Sequence, residues 1–477
     1  MKAKDLDKLG LPRDRELRQA ASRTAKRMLK SGMERGALKA RLKEIAAEPG
    51  PYLDDPDWAA YAQAAAALLP RQLPDGGTSS AHAGAKYAGL RSEPVPVAVF
   101  ASEEAGPDPE AMKQMENAAL LPIAVAGALM PDAHVGYGLP IGGVLAVEDA
   151  VIPYAVGMDI ACRMRLSVVD APVSWLTSKQ PKLARALEQE TRFGVGASFK
   201  ERREHPVMDL DWDAISITKS LKNKAWEQLG TSGSGNHFAE FGALTVREEG
   251  LLGLEPGQYL ALLTHSGSRG VGGEVARYFS RIAQQNMPQL PKHMRALAWF
   301  PLSSAEGRAY WAAMQLMGEY SHANHEILHA HVLRALGFQE LAVVENHHNF
   351  AWIEEHFGRE LVVHRKGATP AGPGALGVIP GSMADPGYVV RGKGNPESLH
   401  SAAHGAGRRM SRKEAKVREN RKHLEELLKE REVTLLSGGL DESPIAYKDI
   451  GAVMRAQKDL VDILATFQPS LVKMSAD

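Results

Sequence analysis

The chain has 477 residues, 44% hydrophobic and 24% charged, a balance that excludes a disordered or collagen-like polymer and allows about three domains at roughly 150 residues each. Lys plus Arg and Asp plus Glu both number 57, so contact with nucleic acid has to come from local patches rather than from a generally basic surface. One cysteine, Cys162, excludes an intramolecular disulfide framework and fits a reducing compartment.

The opening, MKAKDLDKLGLPRDRELRQ, is charged and lacks the apolar stretch of a secretory signal. Helical spacing over residues 14–30, rich in Arg, Lys, Ala and Leu, predicts a helix that Gly32 and Gly36 punctuate. A second helix is expected at 57–69, and the Gly-, Ser- and Pro-dense stretch 70–92 reads as a linker. This sets a helical N-terminal extension, 1–92, before a main domain, 93–477. The most apolar run, 118–130, is interrupted by Pro122 and is too short to span a bilayer. A cytoplasmic protein without membrane contact is expected.

Beyond residue 93 the pattern changes to short apolar segments punctuated by glycine, such as IGGVLAVEDAVIPYAVGMDIACRMRLSVV, LALLTH, LAVVEN and GYVVRG. These predict strands ending in polar turns, interleaved with helices at 181–190, 305–336 and 411–432. The class is mixed α and β.

Five segments carry groups of metal-binding or nucleophilic type. In GMDIAC, Asp159 and Cys162 lie three apart, so a tight turn can aim both at one metal; a capping Asp with a small buried hydrophobe is the plainer reading. In SGSGNHF, Gly233 and Gly235 let the backbone approach a ligand beside Asn236 and His237, or simply make a flexible turn. THSGSRG ends an apolar strand with His265, then offers Ser266, Ser268 and Arg269 as a phosphate cradle, unless it is only a strand-to-loop turn. In ENHHNF the adjacent histidines point to opposite faces if extended, so only one of His347 and His348 enters a given site. Finally, His404 precedes Gly405, Ala406 and Gly407, where small residues leave room for a phosphate; it is a nucleophile towards phosphorus or a helix-capping histidine.

Together these residues suggest one or two divalent metals, with zinc, cobalt and manganese all compatible with thiolate and imidazole donors. Two metals sharing a ligand suit in-line phosphoryl transfer. Nucleotide or RNA chemistry is the natural candidate, and a binuclear metal-dependent RNA phosphodiesterase and a non-catalytic RNA-binding subunit are competing readings. The phosphodiesterase leaves the PGSM and HGAG runs without a task. The subunit leaves every ligand and the nucleophile without one.

The ordered segments PDAHVGYGLPIGG, AVGMDIACRM, GNHF, HSGSRG, HHN, HRKGAT, IPGSM and HGAGRRMSR resemble those of the RtcB RNA-splicing ligases, from residue 95 to the C-terminus. The resemblance implies an α+β fold of mixed, largely antiparallel sheets with surrounding helices. It also implies a GTP- and manganese-dependent ligase, in which RNA 2′,3′-cyclic phosphate or 3′-phosphate ends are joined to 5′-hydroxyl ends through a histidine–GMP intermediate. Asp159, Cys162, His237, His265 and His348 match the ligands of two Mn²⁺ ions, with Cys162 as the bridge, and His404 matches the guanylated histidine. The guanylate positions match Asn236, His237, Phe238, Ala239, Glu240, His348, Asn349, Pro380, Gly381, Ser382, Met383, His404, Gly405, Ala406, Gly407 and Lys473. Arg269 resembles an arginine that holds an RNA terminal phosphate. The basic stretch from Arg408 to Lys422 would add phosphate contacts, Arg408 first, although Glu414, Glu419 and Glu425 interleave with it as on a solvated helix.

The departures predict a specialised paralogue. After IPGSM the family usually continues Gly-Thr-x-Ser-Tyr, whereas this chain reads Ala384, Asp385, Pro386, Gly387, Tyr388, losing a serine contact to the nucleotide. Arg163 stands where many members have Gly, Ala403 where many have Cys, and Met474 to Asp477 follow Lys473 in place of a terminal glycine. Partners implied are RNAs with broken ends, such as tRNA or ribosomal RNA fragments, and GTP. The natural RNA and the need for an activating protein partner stay open.

Overall fold

The computed structural model describes residues 15–47, scattered positions between 52 and 62, and 89–476 apart from 248. Backbone packing divides the chain into two compact units, 1–80 and 81–477.

In the first unit, helices Arg15–Lys30 and Arg35–Ala47 pack through Ala21, Ala25, Met28, Leu38, Leu42 and Ile45, with Trp58 and Tyr61 completing the cluster. The first helix is the one that spacing predicts. The second is not, because Gly32 and Gly36 read as one stop signal. Gly32 alone makes the turn, at φ 91°, and Gly36 already lies in the next helix. The helix expected at 57–69 and the linker at 70–92 fall largely outside the described residues.

The second unit is α+β, as expected, and all but two of its strand pairings are antiparallel. Its main sheet runs in the order Leu376–Ile379, Gly387–Gly392, Val461–Met474, Phe238–Val246, Gly257–Ser266, Arg163–Val169, Glu340–His347. The two edges meet where the Asn346 amide accepts from Val378 N at 2.8 Å, so the sheet nearly closes on itself. Strand alternation gives this near-barrel two cores. Met164, Leu166, Ala261, Leu263 and Val344 fill the inside, while Val169, Leu260 and Leu262 pack outward with Leu328 and Val332 of the long helix Ala305–Leu336. That helix starts where Ser304 Oγ accepts from Gly307 N and stops at left-handed Gly337, as the sequence signals ask.

A five-stranded sheet, in the order Val97–Val99, Ala124–His134, Ile141–Val147, Arg359–Lys366, Asn349–His356, completes the unit. The apolar run 118–130 is divided between a helix end and a strand, and among the described residues no helix is long and apolar enough to cross a membrane. The single helix expected at 411–432 is two, Arg412–Arg418 and Arg421–Glu430. The break is built by Asn420, whose side chain accepts from His423 N, and by buried Glu419, which accepts from Asn420 N and His423 Nδ1. A capping pair inside the run outweighs its helical composition.

Candidate active site

Strand pairing brings the distant ligand-type residues to one rim of the near-barrel. Strand Arg163–Val169 begins there with Arg163 opposite Ser266 and His347 on its two neighbours, and Phe238 pairs with His265. Cys162, His237, His265 and His348 therefore sit side by side, all buried. Cys162 Sγ lies 3.1 Å from His265 Nε2 and 3.4 Å from His237 Nε2, and His265 Nε2 faces His348 Nε2 at 3.2 Å. Asp159 reaches the same group at 3.0 Å from His237 Nε2. Gly267 is what lets it in, since a Cβ there would collide with the Asp159 carboxylate. The other histidine of the pair, His347, turns away and packs on Phe350 and Trp352.

The donor chemistry fits a divalent metal. His265 Nδ1 donates to the Asn236 carbonyl at 3.1 Å, which leaves the Nε2 lone pair facing Cys162 and His348. Burial holds the pKa of His265 and His348 well below 6.5, so both rings are neutral, and His348 Nδ1 is left without a partner. The one S–H proton of Cys162 can satisfy only one neighbour. Burial raises that thiol further, and the Asp159 charge adds to it. Burial also pushes the Asp159 carboxyl up, but the hydrogen bond and charge of His237 and the charge of Arg269 outweigh it and hold the group below the usual carboxylate range. Lone pairs of sulfur, nitrogen and oxygen converging in a buried space are relieved by a cation. The ligand atoms of Cys162, His237 and His265 all lie within 4.8 Å of one another.

A cleft of about 1070 Å³ opens over this cluster. Asn236, Phe238, Glu240, Asn349, Pro380, Gly381, Ser382, Met383, His404, Gly405, Ala406, Gly407 and Arg408 line it beside the metal-type residues. His404 lines it beside His348. Its Nδ1 donates to Asp132 Oδ2 at 2.7 Å and its backbone N to the same oxygen at 3.2 Å, with its ring 4.9 Å from that of His348. Asp132 is fully buried, and the bond to it leaves His404 Nε2 as the free nitrogen. Gly407, at φ 71°, keeps the loop tight, for a Cβ would run into the Asp132 carbonyl.

Some expected residues are spent elsewhere. Ala239 is buried on the opposite face of its strand. Lys473 alternates away from Met474, which lines the cleft; its ammonium donates to the Leu187 carbonyl at 3.1 Å and lies over Phe193. Arg269 is buried behind His237, donating to the Gly267 carbonyl and reaching His237 Nδ1 at 3.3 Å. Arg408 donates to the Asp441 carbonyl and pairs with Glu442. Ser382 donates to Asp385 Oδ2 at 2.5 Å, in the segment that departs from the family pattern, and Arg163 pairs with Glu345.

Sequence reading missed Asp132, buried behind His404, and, among the residues that line the cleft, Lys366. Asp132 lies within PDAHVGYG, and a carboxylate at a strand end before glycines is the signal that was there to use. Lys366 lies within HRKGAT; its buried ammonium donates to the Tyr137 carbonyl at 2.5 Å, and burial brings its pKa down to about 7.

A carboxylate-held imidazole beside donors that would hold a divalent metal is a donor set suited to group exchange at phosphorus, where the metal would supply charge neutralisation. Known proteins agree in kind. The family described as tRNA-splicing ligase RtcB matches residues 114–214 and 210–474. RNA-splicing ligase RtcB of Escherichia coli (strain K12) is 33% identical over 419 residues, covering 80% of this chain and 98% of its own. The tRNA-splicing ligase RtcB of Nanoarchaeum equitans is 30% identical over 456 residues, with coverage of 79% and 95%. The chain belongs to the RtcB family.

Proposed function

We propose that this protein is an RNA ligase that joins RNA 3′-phosphate or 2′,3′-cyclic phosphate ends to 5′-hydroxyl ends, using GTP and two Mn²⁺ ions. The observation that carries the proposal is His404, held through Nδ1 by buried Asp132 with Nε2 left free, in one cleft with the Cys162, His237, His265 and His348 donors. Similarity to the named ligases supports RNA as the substrate.

His404 Nε2 attacks the α-phosphorus of GTP, and pyrophosphate leaves. Asp132 stabilises the charge that develops on the ring as the bond forms. Asp159, Cys162, His237, His265 and His348 would hold the metals, whose chemistry here would be charge neutralisation on phosphate oxygens. Glu240 is buried and burial raises its pKa well above the usual range, so it lacks a compensating partner until one arrives. The N–H donors of a guanine edge are such a partner. A 3′-phosphate oxygen then attacks the phosphorus of His404–GMP, freeing the imidazole. The 5′-hydroxyl of the second RNA attacks the 3′-phosphorus, GMP leaves, and the phosphodiester is made.

Cytoplasmic RNA fragments, such as tRNA halves or cleaved ribosomal RNA, are the substrates this chemistry serves. Residues 93–477 carry it, and 1–92 form a separable extension. The test is incubation with GTP labelled at the α-phosphate and Mn²⁺, followed by denaturing electrophoresis. A labelled band that disappears in His404→Ala is expected; an unlabelled wild-type band together with RNA cleavage would favour the phosphodiesterase instead.

A further inference from the structure

Among the described residues only two aromatic rings are strongly exposed, Phe357 and Tyr137, and only Tyr137 lines the cleft. Tyr137 is 76% exposed, a large aromatic side chain left in water at the cleft. It sits in the loop between strands Ala124–His134 and Ile141–Val147.

The loop around it is anchored on every side. Gln114 grips both backbone groups of Gly136, accepting from its N–H at 2.9 Å and donating to its carbonyl at 2.6 Å. Lys366 donates to the Tyr137 carbonyl at 2.5 Å. Gly138 turns at φ 74° with its Cα so near the Ala296 carbonyl that a Cβ would stand 3.0 Å from it. The backbone is fixed, yet most of the side chain stays in solvent. Arg409, Lys413 and Arg412, the last paired with Asp441 and Glu442, line the same cleft, so an aromatic ring and cationic side chains border one space.

Single-stranded nucleic acid is bound by that combination, cations tracking its backbone while aromatic rings take its bases. We propose that Tyr137 is a stacking platform for a nucleobase next to the reacting RNA end. The contact is indifferent to which base is present, because every base offers a π face. This rests on the RNA ligase reading, and it adds a subsite that acts on RNA binding rather than on nucleotide transfer to His404.

The test uses the full-length protein with Mn²⁺ and short 3′-phosphate oligoribonucleotides, either intact or with one abasic position near the 3′ end. Wild type is expected to bind the intact RNA more tightly than the best-placed abasic one, and Tyr137→Ala to weaken intact RNA by roughly 5–150-fold while treating both alike. Tyr137→Phe and Tyr137→Trp should restore the preference, whereas Tyr137→Leu should not. An alanine variant that binds both RNAs as wild type does, or a leucine variant that restores binding, overturns the stacking role. Self-guanylation of wild type is measured separately. Its failure would remove the ligase reading, while the abasic comparison would still decide on Tyr137.

Discussion

Two groups of buried histidines lie on opposite faces of the same strands, and they differ in how their nitrogens are used. On the inner face, His265 Nε2 faces both Cys162 Sγ and His348 Nε2, and His348 Nδ1 has no partner. On the outer face, one residue away, Thr264 Oγ1 meets His325 Nδ1 at 2.9 Å and His329 Nε2 at 2.8 Å, and His329 Nδ1 meets Ser167 Oγ at 2.6 Å. Glu340 takes the Ser167 hydroxyl and, with Glu345, pairs Arg165; His322 joins Glu345 at 2.7 Å. In this outer group hydroxyls and carboxylates alternate with rings, and His325 Nε2 is the ring nitrogen left over. A histidine count cannot separate the two. What separates them is the donor set: a thiol and imidazole nitrogens converging within 4.8 Å of one another suit a cation, whereas hydroxyls and carboxylates interleaved with rings satisfy one another.

The largest effects should fall on the inner face. Cys162→Ala removes the sulfur donor of the cluster, so bound Mn²⁺ measured by elemental analysis should drop to background and covalent guanylation with it. His404→Ala should abolish the labelled band yet keep the metal, because His404 is held by Asp132 and not by the cluster. Full metal occupancy in Cys162→Ala would sink the contrast between the two faces.

Asp132→Asn comes next. It keeps a hydrogen-bond partner for His404 but removes the charge that stabilises the ring during attack, and guanylation should slow by roughly 10²–10⁴-fold with metal content unchanged. A rate within a few-fold of wild type would show that Asp132 only fills space.

Much of this was legible in the sequence because strands end in glycine-rich polar turns, and such turns carry His237, His265 and His404. Alternation separated His348 from His347, and the structure follows it. The same rule applied to Lys473 would have turned it away from the cleft that Met474 lines. Partners brought by the fold were out of reach. Asp132 and His404 stand 272 residues apart, and nothing local shows that one holds the other. Arg408 and Arg269 look like phosphate grips by residue type, but Glu442 and the Gly267 carbonyl, which occupy their guanidinium groups, are visible only in three dimensions.

The outer face should answer in stability instead. His329→Ala leaves a cavity and strips Thr264 and Ser167 of a partner, a loss of about 2–5 kcal/mol that denaturant titration would register. Mn²⁺ stoichiometry should stay as in wild type. If His329→Ala loses metal while folded, the outer group belongs to the site after all.

Acid should expose the same group. Burial brings the pKa of His325 down to about 3, while an unfolded chain titrates near 6.5. Below about pH 6.5 the unfolded state therefore binds a proton that the folded state refuses, and stability falls with pH by up to about 1.4 kcal/mol per unit for this ring. In metal-free protein the denaturation midpoint should drop from pH 7 to pH 5, and His325→Gln should flatten that slope. An equally steep slope in the variant would assign the acid sensitivity to other histidines.

Thr264→Val is the mildest change and the sharpest test of whether the two faces are independent. The side chain keeps its shape, but its hydroxyl, which bridges His325 and His329, becomes a methyl facing two imidazole nitrogens. Stability should fall by about 1–3 kcal/mol. Thr264 is the covalent neighbour of His265, yet the two side chains leave the strand on opposite faces. The His265 ring is fixed by its own bond to the Asn236 carbonyl, which the substitution does not touch. Mn²⁺ affinity, followed by competition with a chelator, should therefore change by less than about twofold. A loss of roughly 10–100-fold is the size expected when a partner that orients a metal ligand is removed. That result would mean that the hydroxyl positions His265 through the strand, and that the two histidine groups work as one.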